Sequence, residues 1–180
     1  MNNIIRAERA TVKFCEGVEV DGYRLPSGEF RVGKVGSARA LGYGKDWVTR
    51  TINGVASGKG KDAETLIKWG FNGVASSVEV LGSARGTTVA DTISLQDFRQ
   101  LIRLAAKRGK PEAEALLDAL LDVGLEDWFR LAFGQEQLTL EEKRDKFYKA
   151  YAATINWLAE DRREWALIEE QELFLAGSWA

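Results

Sequence analysis

The residues in this sequence best suited to chemistry are basic, and they are bunched. Between Phe30 and Lys61 stand Arg31, Lys34, Arg39, Lys45, Arg50, Lys59 and Lys61, seven cations against the single acid Asp46. Clustered Lys and Arg attract phosphates through a sequence-independent electrostatic term, and backbone N–H groups in glycine turns add to it. Thr49, Thr51, Asn53 and Ser57 are interleaved with these cations. Thr49 and Asn53 are the better candidates for hydrogen bonds to base edges. The plainer reading is a solvated basic face, but the pattern points to nucleic acid.

Other chemistries are less well supplied. Gly54 to Lys61 reads GVASGKGK. A phosphate-binding Walker loop needs four residues between its glycines and Ser or Thr after the Lys, and this stretch has neither. Asp21 and Glu29 flank a turn, and Glu29-Phe-Arg31 loosely resembles the acid–x–base element of a metal-dependent nuclease. A homing- or restriction-type endonuclease is therefore an alternative, with solvated strand carboxylates as the ordinary explanation. The chain has no His and one Cys. Nothing is available to activate Cys15 or a serine as a nucleophile, and the usual zinc sites cannot be built. We expect no cofactor, no metal and no catalytic residue.

These side chains need elements to hold them. Ala10 to Phe14 is a strand candidate, and residues 1–9 are polar and expected to fray. The stretch VEVDGYRLPSGEFRV reads as three strands with turns at Asp21-Gly22 and Pro26-Ser27-Gly28. Gly33 to Leu41 turns helical and stops at Gly42; KDWVTRTING follows as a second short helix, giving a helix-turn-helix-like unit. Asp62 is placed to cap a third short helix, AETLIKWG. Two further strands, VASSVEVLG and TTVADTIS, are joined by a turn at Ser83–Gly86. Ser94 and Asp97 then open a helix that Gly109 ends. Pro111 starts the next, with Ala113, Leu116, Leu117, Leu120 and Leu121 as its apolar stripe. Gly124 is expected to break it before a short third helix that ends at Gly134. Thr139 and Glu142 form a capping box for a long final helix. Its stripe is Phe147, Tyr151, Leu158, Trp165 and Ile168, with Ile155 beside it, and its aromatics suit an oligomer interface.

The order of these pieces resembles the N-terminal domain of the Bro and phage-antirepressor group, the Bro-N-like DNA-binding domains of viruses, phages and mobile elements. The residues that carry the resemblance are Ala40-Leu-Gly-Tyr43, Leu101-Ile102 and Lys110-Pro-Glu-Ala113, and it spans roughly residues 10–134. The chain is also similar to uncharacterised cyanobacterial proteins of this plan. Where the family pattern has Trp followed by Leu-Pro-x-Ile-Arg, this chain reads DVGLEDWFRLAFG. The resemblance implies a non-catalytic regulator of transcription that binds DNA.

The expectations are then definite. The fold class is α+β, with a small antiparallel β-sheet packed by helices and a long C-terminal α-helix. Residues 1–134 form the DNA-binding domain and residues 135–180 a helical extension. DNA contacts fall to Arg31, Lys34, Arg39, Lys45, Thr49, Arg50, Asn53, Lys59 and Lys61. A homodimer or higher homo-oligomer forms through Phe147, Tyr151, Leu158 and Trp165; a protein-interaction module working through that helix alone is a further alternative. One cysteine fits a reducing compartment. The opening MNNIIRAERA is too poor in apolar residues for a signal peptide, and no apolar run approaches a membrane span. The expected location is cytoplasmic.

Overall fold

The computed structural model describes residues 5–59, 61–80 and 88–177. Five strands close into a barrel in the order β1-β2-β3-β5-β4. They are β1 (Ile5–Cys15), β2 (Val18–Arg24), β3 (Phe30–Gly33), β4 (Ser76–Val80) and β5 (Thr88–Ser94). The α+β class holds, but the sheet is neither open nor wholly antiparallel. Closure comes from a parallel pairing of Ile5, Arg6 and Ala7 with Val78, Glu79 and Val80. Residues 5–9, expected to fray, are therefore structural. Arg6, Glu8 and Arg9 are exposed and charged, which hides from the sequence that the backbone between them completes a ladder.

The first hairpin also differs from expectation. β2 runs straight through Asp21-Gly22, and the chain reverses instead at Gly17, whose φ is +80°. Asp21 is occupied by Arg9 at 2.8 Å. Gly22 lies opposite Ala10 and against the Val12 side chain, which leaves no room for a Cβ. The glycine thus serves a close strand crossing and not a turn. The second turn is where it was expected: the Gly28 N–H donates to the Leu25 carbonyl at 2.9 Å. The turn expected at Ser83–Gly86 lies outside the described residues.

Six helices occur among the described residues: α1 (Lys34–Ala40), α2 (Trp47–Ala56), α3 (Ala63–Lys68), α4 (Leu95–Lys107), α5 (Pro111–Ala132) and α6 (Leu140–Gly177). Ser94 caps α4, its hydroxyl accepting the Asp97 N–H at 3.0 Å. The Asp97 carboxylate is turned to another use. Almost wholly buried, it accepts the Asn72 and Gly73 N–H groups at 2.8 and 3.2 Å. Gln96 and Gln100 donate to the Gly70 and Trp69 carbonyls. One face of α4 thereby clamps the segment that follows α3.

Gly124 does not interrupt α5, which continues to Ala132. Lys146 of α6 holds Asp122 and Glu126 at 3.1 and 2.8 Å, on either side of that glycine. The expected α5 stripe is divided: Ala113 and Leu116 are buried with Ala115 and Ala119, while Leu117, Leu120 and Leu121 are exposed. Thr139 and Glu142 make the expected reciprocal cap of α6. The main core lies between barrel and helices, from Val18, Val20, Val32 and Ile93 to Val48, Leu66, Leu101, Leu104, Leu116 and Phe147. A smaller cluster of Ala7, Tyr23, Leu25, Val78 and Val80 also forms. Among the described residues no helix is long and apolar enough to cross a membrane.

Candidate nucleic-acid interface

The helix-turn-helix-like unit is present as α1 and α2. Its turn depends on Gly42, whose φ of +74° favours glycine and whose missing Cβ lets the Glu112 carboxylate approach. Tyr43 stacks on Trp47 with ring centroids 4.0 Å apart. Lys110 reaches both the Tyr43 ring and the Gly42 carbonyl. Tyr43 is thus engaged in fixing the entry to α2.

Trp47 and Val48 bury one side of α2. Thr49, Arg50 and Asn53 are exposed, and at 100° per residue they form one crest. Thr51 is spent within the helix, donating to the Trp47 carbonyl at 2.9 Å. Ser57 donates to the carbonyls of Asn53 and Gly54 at the helix end. Gly54 belongs to α2, so the Gly54–Lys61 stretch has no phosphate-loop geometry.

Two clefts flank this crest. One, of about 430 Å³, is lined by Arg50, Lys59, Lys61 and Arg108 together with Asp62 and α3. The Asp62 side chain ion-pairs with Arg108 and does not cap α3. The other, of about 510 Å³, holds Lys34, Lys45, Asp46, Thr49 and Asp91. Among the described residues Lys45, Arg50, Lys59 and Lys61 have no ion-pair partner. Their side chains are exposed to solvent.

Three of the anticipated contacts sit differently. Arg31 is buried: its guanidinium donates to the Thr92 hydroxyl at 2.9 Å, to Glu29 at 2.8 Å and to the Val74 carbonyl at 3.2 Å. It staples β3 to β5 and to the lead-in of β4. Lys34 is largely covered and bonded to Asp91 at 3.0 Å. A hydrogen bond from Ser77, then that lysine, holds Asp91 below the usual carboxylate range. Arg39 lies apart, in a cleft with Glu19 and Asp21. The structure therefore gathers Lys45, Thr49, Arg50, Asn53, Lys59 and Lys61 about α2, separates Arg31 and Arg39 from them, and leaves Lys34 beside Lys45 but paired with Asp91.

A second basic feature went unread in the sequence. Arg99, Arg103 and Lys107 are exposed at i, i+4 and i+8 along α4, while the one acid of that helix, Asp97, is buried. Arg103 and Lys107 lie over the Trp69 ring at 4.2 and 5.7 Å. Like charges at this spacing destabilise an isolated helix slightly. The spacing was visible in the sequence. It was obscured by averaging the charges of α4 with the acids of α5.

The aromatic stripe of α6 divides in the same way. Phe147 is buried, 5.4 Å from the Phe14 ring. Tyr151 and Leu158 are half-buried, whereas Trp165 is 61% exposed. The carboxylates of the nuclease alternative are each bonded to an arginine, Asp21 to Arg9 and Glu29 to Arg31. Among the described residues no group of three or more His, Cys, Asp or Glu is arranged to hold a metal. No family model, curated protein or solved structure gives a match to the chain.

Proposed function

We propose that this chain binds duplex DNA without catalysis, with α2 as the reading element. The observation that supports the reading is the α2 crest of Thr49, Arg50 and Asn53, flanked by clefts in which Lys45, Arg50, Lys59 and Lys61 have no ion-pair partner among the described residues, although Lys34 and Arg108 beside them are paired with Asp91 and Asp62. Lys45 on one side and Lys59 and Lys61 on the other take backbone phosphates. Thr49 and Asn53 meet base edges, Asn being suited to the paired donor and acceptor of adenine. Arg99, Arg103 and Lys107 extend the phosphate contacts along α4. A regulatory role of phage or mobile-element type follows the resemblance to the Bro-N-like group.

Fluorescence anisotropy on a labelled duplex across a range of salt tests this. Affinity should fall steeply as salt rises. Lys59→Ala or Lys61→Ala should weaken all duplexes alike and lower the salt slope by about 1 each. Asn53→Ala should instead reduce discrimination between sequences, by about 1–3 kcal/mol at one position. Duplex binding that ignores salt, or that survives the combined loss of Lys45, Arg50, Lys59 and Lys61, would overturn the proposal.

A further inference from the structure

The final helix outruns the body that it packs on. Arg162 donates to the Gly109 carbonyl at 3.1 Å, in the turn between α4 and α5. α6 continues from there to Gly177, an overhang of roughly 20 Å at 1.5 Å per residue. Every residue from Arg162 to Gln171 is exposed. They include Trp165 at 61%, Leu167 at 59% and Ile168 at 41%. A helix of this length is marginal in water when nothing packs on it.

A short coiled-coil seam runs along this part of α6. Half-buried Leu158 and Asp161, then exposed Trp165 and Ile168, follow at alternating spacings of three and four. Arg162 and Glu169 flank the seam on one side, and Glu164 and Gln171 on the other. These flanks select an orientation. In a parallel pair, Glu164 of one copy would face Glu169 of the other, and the charges would repel. In an antiparallel pair, Arg162 faces Glu169 twice across the two-fold axis, and Trp165 of each copy lies beside Ile168 of its partner. Arg162 has donors to spare, since only one of its N–H groups is used within the chain.

We propose that the α6 overhang is a self-association surface whose occupant is the same segment of a second copy, packed antiparallel. The interface is isologous, so it closes at two copies. The inference stands independently of whether α2 binds DNA.

Sedimentation velocity on the full chain over a concentration series tests it, with circular dichroism melts reporting on folding. The wild type should dimerise, and Trp165→Glu should leave a monomer that melts cooperatively like the wild type, with helix lost only from the unpaired overhang. Glu169→Arg places Arg against Arg in the antiparallel pair and should weaken the dimer roughly tenfold. Arg162→Glu combined with Glu169→Arg should restore it. A parallel pair would respond oppositely, because Glu169→Arg would then meet Glu164. A wild type that stays monomeric at high concentration, a Trp165→Glu variant that dimerises as before, or a Glu169→Arg variant that dimerises more tightly would each overturn the proposal.

Discussion

Arg31 shows how far one residue's role depends on where it is buried. By type and by sequence neighbours it belongs with the phosphate contacts, yet its guanidinium spends its donors on Thr92, Glu29 and Val74. Thr92 in turn donates to the Ser76 carbonyl at 2.9 Å, so the two residues join three strand segments. Removing the guanidinium leaves buried acceptors unpaired. Arg31→Met should therefore cost about 2–4 kcal/mol of stability, read from a urea titration, with no change in DNA affinity while the protein remains folded. A stability change below about 0.5 kcal/mol, the usual range for a surface substitution, would show that the staple is dispensable. Cys15 makes a smaller case. Burial pushes its thiol up from the ordinary value, so at neutral pH it should react with iodoacetamide more slowly than a free cysteine. A rate equal to that of free cysteine would contradict this.

The α5–α6 hairpin is joined on one side by charge. Lys146 bridges Asp122 and Glu126, and Lys143 binds Asp127. Hydrogen bonds from Lys146 and then Arg130 hold Glu126 below the usual carboxylate range. Asp127 is lowered by Lys143 and then by the Leu138 N–H. A carboxylate with a lowered folded value contributes stability above its ordinary unfolded value, and loses it as pH falls through the lowered one. The hairpin should accordingly weaken from about pH 4 downward. A Glu126→Gln, Asp127→Asn variant should start less stable at neutral pH and fall less on acidification; an equally steep fall would assign the acid loss elsewhere. Gly124 offers the opposite test. Its φ is not positive, and an added Cβ would meet nothing within 4 Å. Gly124→Ala should stabilise the protein by about 0.5–1 kcal/mol, seen as a raised melting temperature, whereas a lowered one would mean that the helix needs its glycine.

For the molecule as a whole, residues 135–180 do more than extend it. Phe147 sits in the main core with Phe14 and Tyr151 beside it, and Arg144 reaches the Lys13 carbonyl of β1. Truncation after Gly134 should cost at least the about 3–5 kcal/mol of emptying one buried aromatic site, measured by chemical denaturation. A fragment of residues 1–134 as stable as the full chain would refute this. The same arrangement places the α2 crest and the α6 overhang on separate elements, so the proposed self-association and the proposed DNA binding can be tested by separate mutations.

Signals that act within about four residues were legible in the sequence. The Ser94 and Thr139 caps, the Pro26–Gly28 turn, the α1–turn–α2 unit and the bunched cations are all of this kind, because capping and period are local properties. The same locality misled at Asp21-Gly22 and Gly124. A glycine reads as a turn or a stop until a packed neighbour shows what it accommodates. Tertiary structure alone decided the rest. Barrel closure joins Ile5 to Val78, the Arg31 staple reaches 61 residues along the chain, and Asp97 clasps a loop 25 residues away. Those pairings determine which of the seven cations are consumed inside the fold and which are left for a partner. Arg31 finds its counter-charge locally in Glu29, but no local pattern can register the rest of that division, because the Thr92 and Val74 oxygens that hold Arg31 inside the fold and the Asp91 that neutralises Lys34 come from β5 and the segment before β4.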